Sequence, residues 1–293
     1  MPLLELTDNA RPLTYTVDAI DEEGRTVPTA IAGEHPLTLY LDRRELVTLM
    51  TLGAAPEHLA LGYLRNQRIV DAVCDLASVQ VDWDTGSVAV TSRLLKDTGT
   101  PLWQQPGIGE RLEERTGRRT VTTGCGQGTV FGDLMGELDG IRLPTQARLT
   151  QEVLYTVMDR VRRHESIYKV AGAVHGCALC SNAGDSRGEI LAFVEDVGRH
   201  NAVDAIAGRM WLEGAGGHDK IFYTTGRLTS EMVIKCAQMG IPFLLSRSGL
   251  TQMGFEIAQR VGITMVGRCQ GKHYLLFTGA ARFLGAPATS AFA

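Results

Sequence analysis

The chain has 293 residues, of which 44% are hydrophobic, and its formal net charge is −4. This composition is sufficient for a large buried core, arranged as two domains or as one large domain. The acidic balance, with a pI of about 6.0, disfavours broad nucleic-acid binding, and no apolar run has the length of a membrane span.

The first part of the sequence predicts a β-rich region. Apolar runs at residues 37–41 and 46–50 flank a short polar segment, which indicates a hairpin. Pro56 is typical of the first turn of a helix, and a second hairpin is predicted over residues 79–90. Residues 96–120 are rich in glycine, proline and charge, so we predict a mobile connection that ends an N-terminal α+β domain.

A single thiol then lies among three glycines, in the run Thr-Thr-Gly-Cys-Gly-Gln-Gly-Thr at residues 122–129. The glycines allow positive φ and close approach of the backbone to a ligand, and they leave the sulfur of Cys125 uncrowded. A helix that begins after this segment would favour the thiolate through its dipole. Taken alone, the segment is more typical of a turn with an incidental cysteine, because alternating glycines are a weak motif.

The N-terminus lacks a basic segment followed by an apolar one, so no secretory signal is expected and we place the protein in the cytoplasm. In that compartment its cysteines are expected to be reduced thiols, available for chemistry or for metal. The six are Cys74, Cys125, Cys177, Cys180, Cys236 and Cys269.

From residue 150 onward, helical and strand patterns alternate. Thr150 is typical of the cap of a helix whose apolar positions recur at helical spacing. This alternation favours an α/β fold with a parallel or mixed sheet covered by helices, and no internal repeat is apparent. Strands are predicted at residues 168–174, 190–194, 221–224, 242–245, 263–266 and 274–277, and helices at 201–212, 230–239 and 252–261.

Polar segments follow five of these predicted strands. In open α/β sheets, ligands bind beyond the carboxyl ends of the strands. Together the segments predict a binding site at the strand ends, lined by cations, hydroxyl groups and glycine backbone, that suits a ligand with phosphates. Each segment alone is more typical of a solvated loop. The five segments are His175 and residues 195–201, 224–227, 246–248 and 267–273. Their candidate phosphate-binding residues include Arg199, His200, Arg227, Arg247, Arg268 and Lys272.

The run Glu195-Asp196-Val197-Gly198-Arg199-His200-Asn201-Ala202-Val203-Asp204 closely resembles the signature of the formate dehydrogenase accessory sulfurtransferases, the FdhD/NarQ family. Further matches follow in the family's order over nearly the whole chain. The resemblance implies a small N-terminal α+β domain, residues 1–120, followed by a cytidine-deaminase-like α/β domain, residues 121–293. The matches include Glu34-His35-Pro36-Leu37, Gly124-Cys125-Gly126, Ala171-Gly172-Ala173-Val174-His175, Thr225-Gly226-Arg227 and Gly240-Ile241-Pro242.

The resemblance also implies a function, that of a sulfur carrier which acts through a cysteine persulfide. Cys125 matches the persulfide position. The expected sulfur donor is a cysteine desulfurase, and the expected acceptor is the molybdenum (or tungsten) bis-molybdopterin guanine dinucleotide cofactor, a transferred substrate destined for the catalytic subunit of formate dehydrogenase. We further expect a homodimer, and from composition and charge no nucleic-acid or membrane partner. The family's cofactor-binding segment matches Arg268, Cys269, Gln270, Gly271, Lys272 and His273.

The sequence departs from the family pattern at the loop thiol. Gln127 and Gly128 follow Cys125-Gly126, where many members have a second cysteine, so a relay of two thiols within the loop is in doubt. A persulfide on one thiol remains consistent with the sequence. Cys269 is the second candidate for carrying sulfur.

A second departure is the C-x-x-C formed by Cys177 and Cys180, which we predict on one helical turn after His175. Zinc needs about four ligands, or three and a water, and only these three are close in sequence, so we expect no bound metal. Cys74 and Cys236 are interpreted as small core residues.

The sequence also bears on two other classes of function. A hydrolytic deaminase requires an H-x-E motif, but His175 is followed by Gly176 and Cys177, which disfavours that reaction. A non-catalytic chaperone would bind the cofactor and the dehydrogenase without handling sulfur. It would need the cationic loops but not Cys125, and this alternative stays open.

Overall fold

A computed structural model describes residues 4–7, 9, 11–117 and 138–285. Its mixture of strands and helices confirms the predicted α/β class, whereas the likeness to cytidine deaminases stays a prediction. The strands of this part of the chain are β1 Glu5–Leu6, β2 Thr14–Ile20, β3 Thr26–Ala32, β4 His35–Leu41, β5 Arg44–Thr51, β6 Leu76–Asp82, β7 Ser87–Ser92, β8 Leu149–Thr150, β9 His175–Ser181, β10 Ile190–Asp196, β11 Lys220–Thr224, β12 Phe243–Ser246, β13 Thr264–Gln270, β14 His273–Leu276 and β15 Phe283–Leu284.

The helices of the same residues agree with most of the predicted positions. None of them is long and apolar enough to cross a membrane. They are α1 Pro56–Asn66, α2 Arg93–Thr98, α3 Ile108–Gly117, α4 Gln151–Arg163, α5 Ile167–Ala171, α6 Arg199–Leu212, α7 Ser230–Gln238 and α8 Gln252–Val261.

The chain forms two compact units that alternate along the sequence. Among the described residues, the first unit comprises those up to 117 together with 165–176 and 194–215, and the second comprises 138–164, 177–193 and 216–285. The single boundary predicted at residue 120 does not account for the two later segments that return to the first unit.

The first unit contains a five-stranded sheet in the order β1-β6-β7-β4-β5. The pairs β4–β5 and β6–β7 are antiparallel, which confirms both predicted hairpins. Leu37, Leu39 and Leu41 are fully buried because alternate residues of a strand point to the same face. They form a core with Leu61 and Leu64 of the predicted helix α1.

The mobile connection predicted over residues 96–120 is wrong for the part that the structure describes. Helices α2 and α3 occupy much of it, and Leu102 and Leu112 are buried in the core of the first unit. Ser92 caps α2 by accepting a hydrogen bond from Leu95 N at 3.0 Å. The glycines and prolines of this segment therefore separate short packed helices, because apolar side chains between them anchor the backbone.

Asp196, in the signature run, has a structural role in the first unit. Its buried carboxylate accepts hydrogen bonds from Thr51 Oγ1 at 2.5 Å and Leu52 N at 3.1 Å, and from Gly198 N and Asn201 Nδ2. Burial raises the pKa of Asp196, while these four donors favour its ionised form. The carboxylate thus joins the end of β5 to the turn before α6.

The strand predicted at residues 168–174 is also wrong. This segment begins as helix α5, whose first two backbone amides donate to the carboxylate of Glu195 at 2.5 and 3.2 Å. Gly172 and Ala173 follow with φ of 64° and 56°, which ends the helix, and His175 is the first residue of β9. The apolar run was too short to separate helix from strand by periodicity.

The second unit is built around a six-stranded sheet in the order β10-β9-β11-β12-β13-β14. Strands β11, β12 and β13 are parallel, whereas β9 and β14 are antiparallel to their inner neighbours. Helix α4 contributes Leu154 and Val157 to the core on one face of this sheet. Thr150 caps α4 as predicted, accepting from Val153 N at 3.2 Å.

Candidate functional site

Cys125 and the glycine segment 122–129 lie outside the described residues, so the role of Cys125 stays a prediction. The structure does describe three of the predicted polar segments, those that follow β11, β12 and β13. Because these strands are parallel, their carboxyl ends meet at one edge of the sheet. The three segments therefore lie side by side in the second unit, as the sequence predicts.

Two buried hydroxyl groups shape the first two loops. Thr224 and Ser246 are the last residues of β11 and β12, lie opposite each other in register and are fully buried. Thr224 Oγ1 accepts from Gly226 N at 3.1 Å, and Ser246 Oγ accepts from Ser248 N at 2.8 Å. Ser246 Oγ also donates to Gly226 O at 2.6 Å, so the two loops are tied to each other as well as to their strands.

These loops belong to two successive strand–loop–helix segments with similar local geometry. Leu228 and Leu250 form a parallel bridge between the two segments. Gly240 and Gly262 end the two helices with φ of 76° and 74°. A constant shift of 22 positions relates the corresponding residues, which are Thr224 and Ser246, Leu228 and Leu250, Thr229 and Thr251, and Gly240 and Gly262.

The two strand–loop–helix segments differ at the beginning of their helices, α7 and α8. Thr251 Oγ1 accepts from Gly254 N at 3.2 Å and so caps α8. Thr229 precedes α7 in the same way, but its side chain makes no capping bond, and its buried Oγ1 has no hydrogen-bond partner among the described residues. The first turn of α7 thus lacks a side-chain cap at the edge of the sheet where the cationic loops lie, and such a helix end favours an anion.

Arg268 has an unusual backbone at the third strand end. Its φ is 55°, and its N–H donates at 2.9 Å to Ser248 O in the loop after β12. On the other side of β13, the pairing with β14 is irregular between Gly267 and Gln270. A Cβ on the preceding Gly267 would lie 3.0 Å from the ring of Phe277 and 3.2 Å from Ser248 O, so only glycine fits there without displacement. Left-handed backbone at a non-glycine residue is costly and is concentrated at functional sites.

The segment predicted as a cofactor-binding loop is the tip of a β-hairpin. Strand β13 continues to Gln270 and β14 begins at His273, with Gly271 at φ 61° in the turn. Lys272 O accepts from the hydroxyl of Tyr155 on α4 at 3.1 Å, which anchors the tip. The strand predicted at residues 263–266 is too short, because β13 continues to Gln270 as a hairpin with β14 and includes exposed polar residues after Val266.

The predicted phosphate-binding residues fall into two groups. The side chains of Arg227, Arg247, Arg268 and Lys272 are exposed at the sheet edge or the hairpin tip, as are those of Gln270 and His273. Arg199 and His200 are instead 6% and 2% exposed, in the first turn of α6 in the first unit. Their prediction as residues of an open polar loop is therefore wrong.

Cys177 and Cys180 lie in strand β9, not on the predicted helical turn. Residues three apart in a strand point to opposite faces, so the two sulfurs cannot hold the same ion. Cys177 Sγ donates to Thr224 Oγ1 at 3.3 Å, whereas Cys180 packs in the core beneath α4. Among the described residues no group of three or more His, Cys, Asp or Glu is placed to hold a metal, and the absence of a metal stays a prediction.

Burial suppresses the reactivity of the other core thiols. It raises the pKa of Cys180 and of Cys269 to about 12, and that of Cys236 well above its usual range. These groups are protonated at neutral pH, and a thiol is a poor nucleophile. The result disfavours Cys269 as a sulfur carrier. Cys236 is buried, which confirms its predicted core position. The same prediction is wrong for Cys74, which is exposed.

Comparison with known proteins gives a consistent result. The model of the FdhD/NarQ family matches residues 32–284. Three curated relatives are each named sulfur carrier protein FdhD. The protein from Listeria monocytogenes is 29% identical over 86% of this chain and 91% of its own length. The corresponding values are 29%, 85% and 80% for Wolinella succinogenes and 28%, 85% and 89% for Sulfurisphaera tokodaii.

A solved structure is similar to most of the chain. It is the crystal structure of a protein from Desulfotalea psychrophila described as a formate dehydrogenase accessory protein. The two superpose with a TM-score of 0.70 at 25% identity, over 93% of this chain and 100% of the other.

Proposed function

The chain belongs to the FdhD/NarQ family, and from this premise we propose that it is a sulfur carrier required for formate dehydrogenase activity. The observation that carries the proposal is that curated relatives matched over about 85% of the chain are sulfur carrier proteins. The similar solved structure, described as a formate dehydrogenase accessory protein, supports the assignment to formate dehydrogenase.

The proposed chemistry begins with the transfer of one sulfur atom to Cys125. Its thiolate attacks the outer sulfur of a persulfide on a cysteine desulfurase, a new S–S bond forms, and the donor cysteine leaves as a thiolate. In the second step the S–S bond on Cys125 breaks and its electron pair returns to Cys125. The sulfur passes to the molybdenum bis-molybdopterin guanine dinucleotide substrate, whose metal supplies the electron pair of the new bond.

Burial of four other thiols leaves Cys74 and Cys125 as candidates, and of these two Cys125 matches the persulfide position of the family. Cys177, Cys180, Cys236 and Cys269 are buried, and the last three have raised pKa values. A persulfide exchange requires an accessible sulfur with a substantial thiolate fraction. Cys74 is exposed, which makes it the matched control for Cys125.

The edge of the sheet in the second unit supports binding of the cofactor substrate. Guanine dinucleotides contain pyrophosphates, which guanidinium groups, ammonium groups and loop amides bind well. Arg227 and Arg247 follow the ends of β11 and β12, and Arg268 lies in β13 just beyond its pairing with β12. Neighbouring strands are about 5 Å apart. Side chains of this length can converge on one pyrophosphate.

The decisive experiment is incubation with a cysteine desulfurase and cysteine, followed by mass spectrometry of intact protein and peptides. We expect a gain of one sulfur atom at Cys125 in the wild type and in Cys74→Ser, and no gain in Cys125→Ser. Activation of formate dehydrogenase should follow the same order. Sulfur that maps to another cysteine would show that Cys125 is wrongly assigned.

The non-catalytic chaperone remains the alternative, because Gln127-Gly128 replaces a second loop cysteine. It predicts that Cys125→Ser still binds guanine nucleotide and still activates formate dehydrogenase at the wild-type rate. That combination, with no sulfur on any cysteine of the wild type, would refute sulfur transfer.

A further inference from the structure

The three exposed arginines at the sheet edge of the second unit have no acidic residue in their own segments. Arg227, Arg247 and Arg268 are all exposed. Adjacent strands in this part of the sheet lie about 5 Å apart, so the positive charges repel one another. The spacing of the three segments therefore depends on bonds between them. The segments are 224–228, 246–250 and 267–269, and none contains Asp or Glu.

Backbone hydrogen bonds join the loops that follow β11 and β12. Arg247 N donates to Thr224 O at 3.2 Å, and Leu228 N donates to Gly249 O at 3.0 Å. Both bonds run between the two loops, so they limit how far the loops can separate. The backbone of Gly226, in the first loop, is bonded to side chains instead.

The hydroxyl group of Ser246 connects all three segments. This side chain is fully buried. Its Oγ donates to Gly226 O at 2.6 Å and accepts from Ser248 N at 2.8 Å. Ser248 O in turn accepts from Arg268 N at 2.9 Å. A single buried hydroxyl thus bonds directly to the loops after β11 and β12, and through Ser248 it is connected to the third segment.

The equivalent hydroxyl of the preceding strand–loop–helix segment makes a different sideways bond. Thr224 Oγ1 and Ser246 Oγ each accept from the amide two residues ahead, which shapes each loop locally. Thr224 Oγ1 also accepts from Cys177 Sγ of β9 at 3.3 Å, whereas Ser246 Oγ donates to the neighbouring loop. The bond from Ser246 to Gly226 is therefore the one that fixes one cationic loop relative to the next.

We propose that Ser246 is a positioning residue for phosphate binding, an inference that rests on the proposed binding of a guanine dinucleotide at this edge. Its buried hydroxyl has no surface with which to contact a ligand, so it acts through the arginines. By holding their segments at a fixed spacing against charge repulsion, it prepares several guanidinium groups to bind one pyrophosphate. A prepared arrangement lowers the entropy that is lost on binding. A single phosphate, which needs fewer cations, depends on it less.

Calorimetric titration with two guanine nucleotides tests the role. Ser246→Ala should weaken the binding of guanosine diphosphate about tenfold and that of guanosine monophosphate by no more than about threefold. Ser246→Thr keeps the hydroxyl and should recover most of the diphosphate affinity. A residue that merely supports the fold would affect both nucleotides equally.

Ser181→Ala is the matched control. Ser181 is also buried, and its Oγ accepts from Ala183 N, two residues ahead, at 3.3 Å. It lies opposite Lys220, at the other end of β11 from Thr224. The variant loses the same kind of hydrogen bond away from the arginines, so it should bind both nucleotides as the wild type does. Circular dichroism checks the folding of every variant. If Ser246→Ala does not fold, Ser246→Cys, whose thiol is a weak donor, replaces it with the same expected result.

Hydrogen exchange followed by mass spectrometry tests the loop connection without a ligand. Ser246→Ala should speed exchange in peptides that cover 224–229 and 246–251, because the amide of Ser248 loses its acceptor and the loops separate. Ser181→Ala should leave both peptides unchanged.

The outcomes distinguish this proposal from the proposed function. A wild type that binds guanosine diphosphate, together with a Ser246→Ala variant that binds it equally well or exchanges at the wild-type rate in both loops, overturns the role of Ser246 alone. Equal weakening of both nucleotides also overturns it. A wild type that binds neither nucleotide would refute the proposed cofactor site and this role with it. Sulfur on Cys125 is measured separately.

Discussion

Arg268 and Lys272 occupy different backbone environments although they are only four residues apart. Arg268 is held in a left-handed conformation by its bond to Ser248 O, whereas Lys272 is at a hairpin turn whose carbonyl is bonded to Tyr155. Both side chains are exposed, yet each backbone is fixed. A fixed backbone lowers the entropy that an exposed cation loses when it binds phosphate.

Nucleotide binding should therefore depend on these two residues. Arg268→Ala or Lys272→Ala should weaken the binding of guanosine diphosphate about tenfold or more, since a charged hydrogen bond contributes roughly 1.5–3 kcal/mol. Calorimetric titration measures this effect, with adenosine diphosphate as the specificity control. Arg187 is the matched control because it is exposed beyond the opposite end of β9. Unchanged affinity in both variants would leave Arg227 and Arg247 as the phosphate-binding candidates.

The buried thiols should resist alkylation in the folded protein. The pKa of Cys180 and of Cys269 is raised to about 12, against an ordinary value near 8.5, so their thiolate fraction at pH 8 is lower by roughly a thousandfold. Pulsed iodoacetamide labelling with peptide mass spectrometry should modify Cys74 first. Labelling of the two buried thiols should rise about tenfold per pH unit and become fast on unfolding. Rapid native labelling at pH 8 would contradict the assigned burial.

Helices α1 and α6 pack unusually closely in the first unit, and two glycines make this possible. A Cβ on Gly62 would overlap the carbonyl oxygen of Asp204, and a Cβ on Gly208 would overlap that of His58. Asn66 Nδ2 donates to the carboxylate of Asp204 at 2.7 Å beside the same crossing. The atoms that an added Cβ would meet belong to the backbone of the other helix, which cannot move aside as a flexible side chain could. The helix crossing therefore tolerates only glycine at these two positions.

Alanine at either glycine should consequently destabilise the fold. We expect Gly62→Ala and Gly208→Ala each to cost more than about 3 kcal/mol, because the clash outweighs the roughly 1 kcal/mol that alanine adds in helix propensity. Chemical unfolding followed by circular dichroism gives the free energies. Gly140→Ala is the control, since nothing lies within 4 Å of its added Cβ. Similar stability of all three variants would show that the helices are further apart than described.

At the scale of the molecule, the chain leaves the first unit and returns to it twice. Residues 165–176 and 194–215 return to complete a core begun in the first 117 positions. Asp196 then bonds Thr51 and Leu52, and α6 packs against α1. The signature run is therefore placed where it joins distant parts of the first unit.

A fragment of residues 1–120 should not fold cooperatively. Without α6 it exposes the apolar side of α1, and without Asp196 the end of β5 loses two hydrogen bonds. Thermal unfolding followed by circular dichroism should show a broad transition. A fragment extended by a flexible linker and residues 190–215 should recover a sharp one. A sharp transition in the short fragment would support the single boundary at residue 120.

Periodicity and turn chemistry along the sequence were enough to determine the hairpins of the first sheet, helices α1, α4, α6, α7 and α8, and five strands of the second sheet. These elements depend on alternating burial and on caps such as Thr150, which are local. The family signature likewise identified the family to which the chain belongs, and the loops after β11 and β12 were correctly placed beside the segment of Arg268 at one edge of the sheet. All of this information lies within windows of about twenty residues.

Only the tertiary structure decided how those elements are used. The exposure of Arg268 and the burial of Arg199 and His200 depend on which surfaces other segments cover, as does the raised pKa of Cys269. The separation of Cys177 from Cys180 required knowing that their segment is a strand. Such properties arise from contacts between residues far apart in the chain, and a local pattern contains no information about what packs against it.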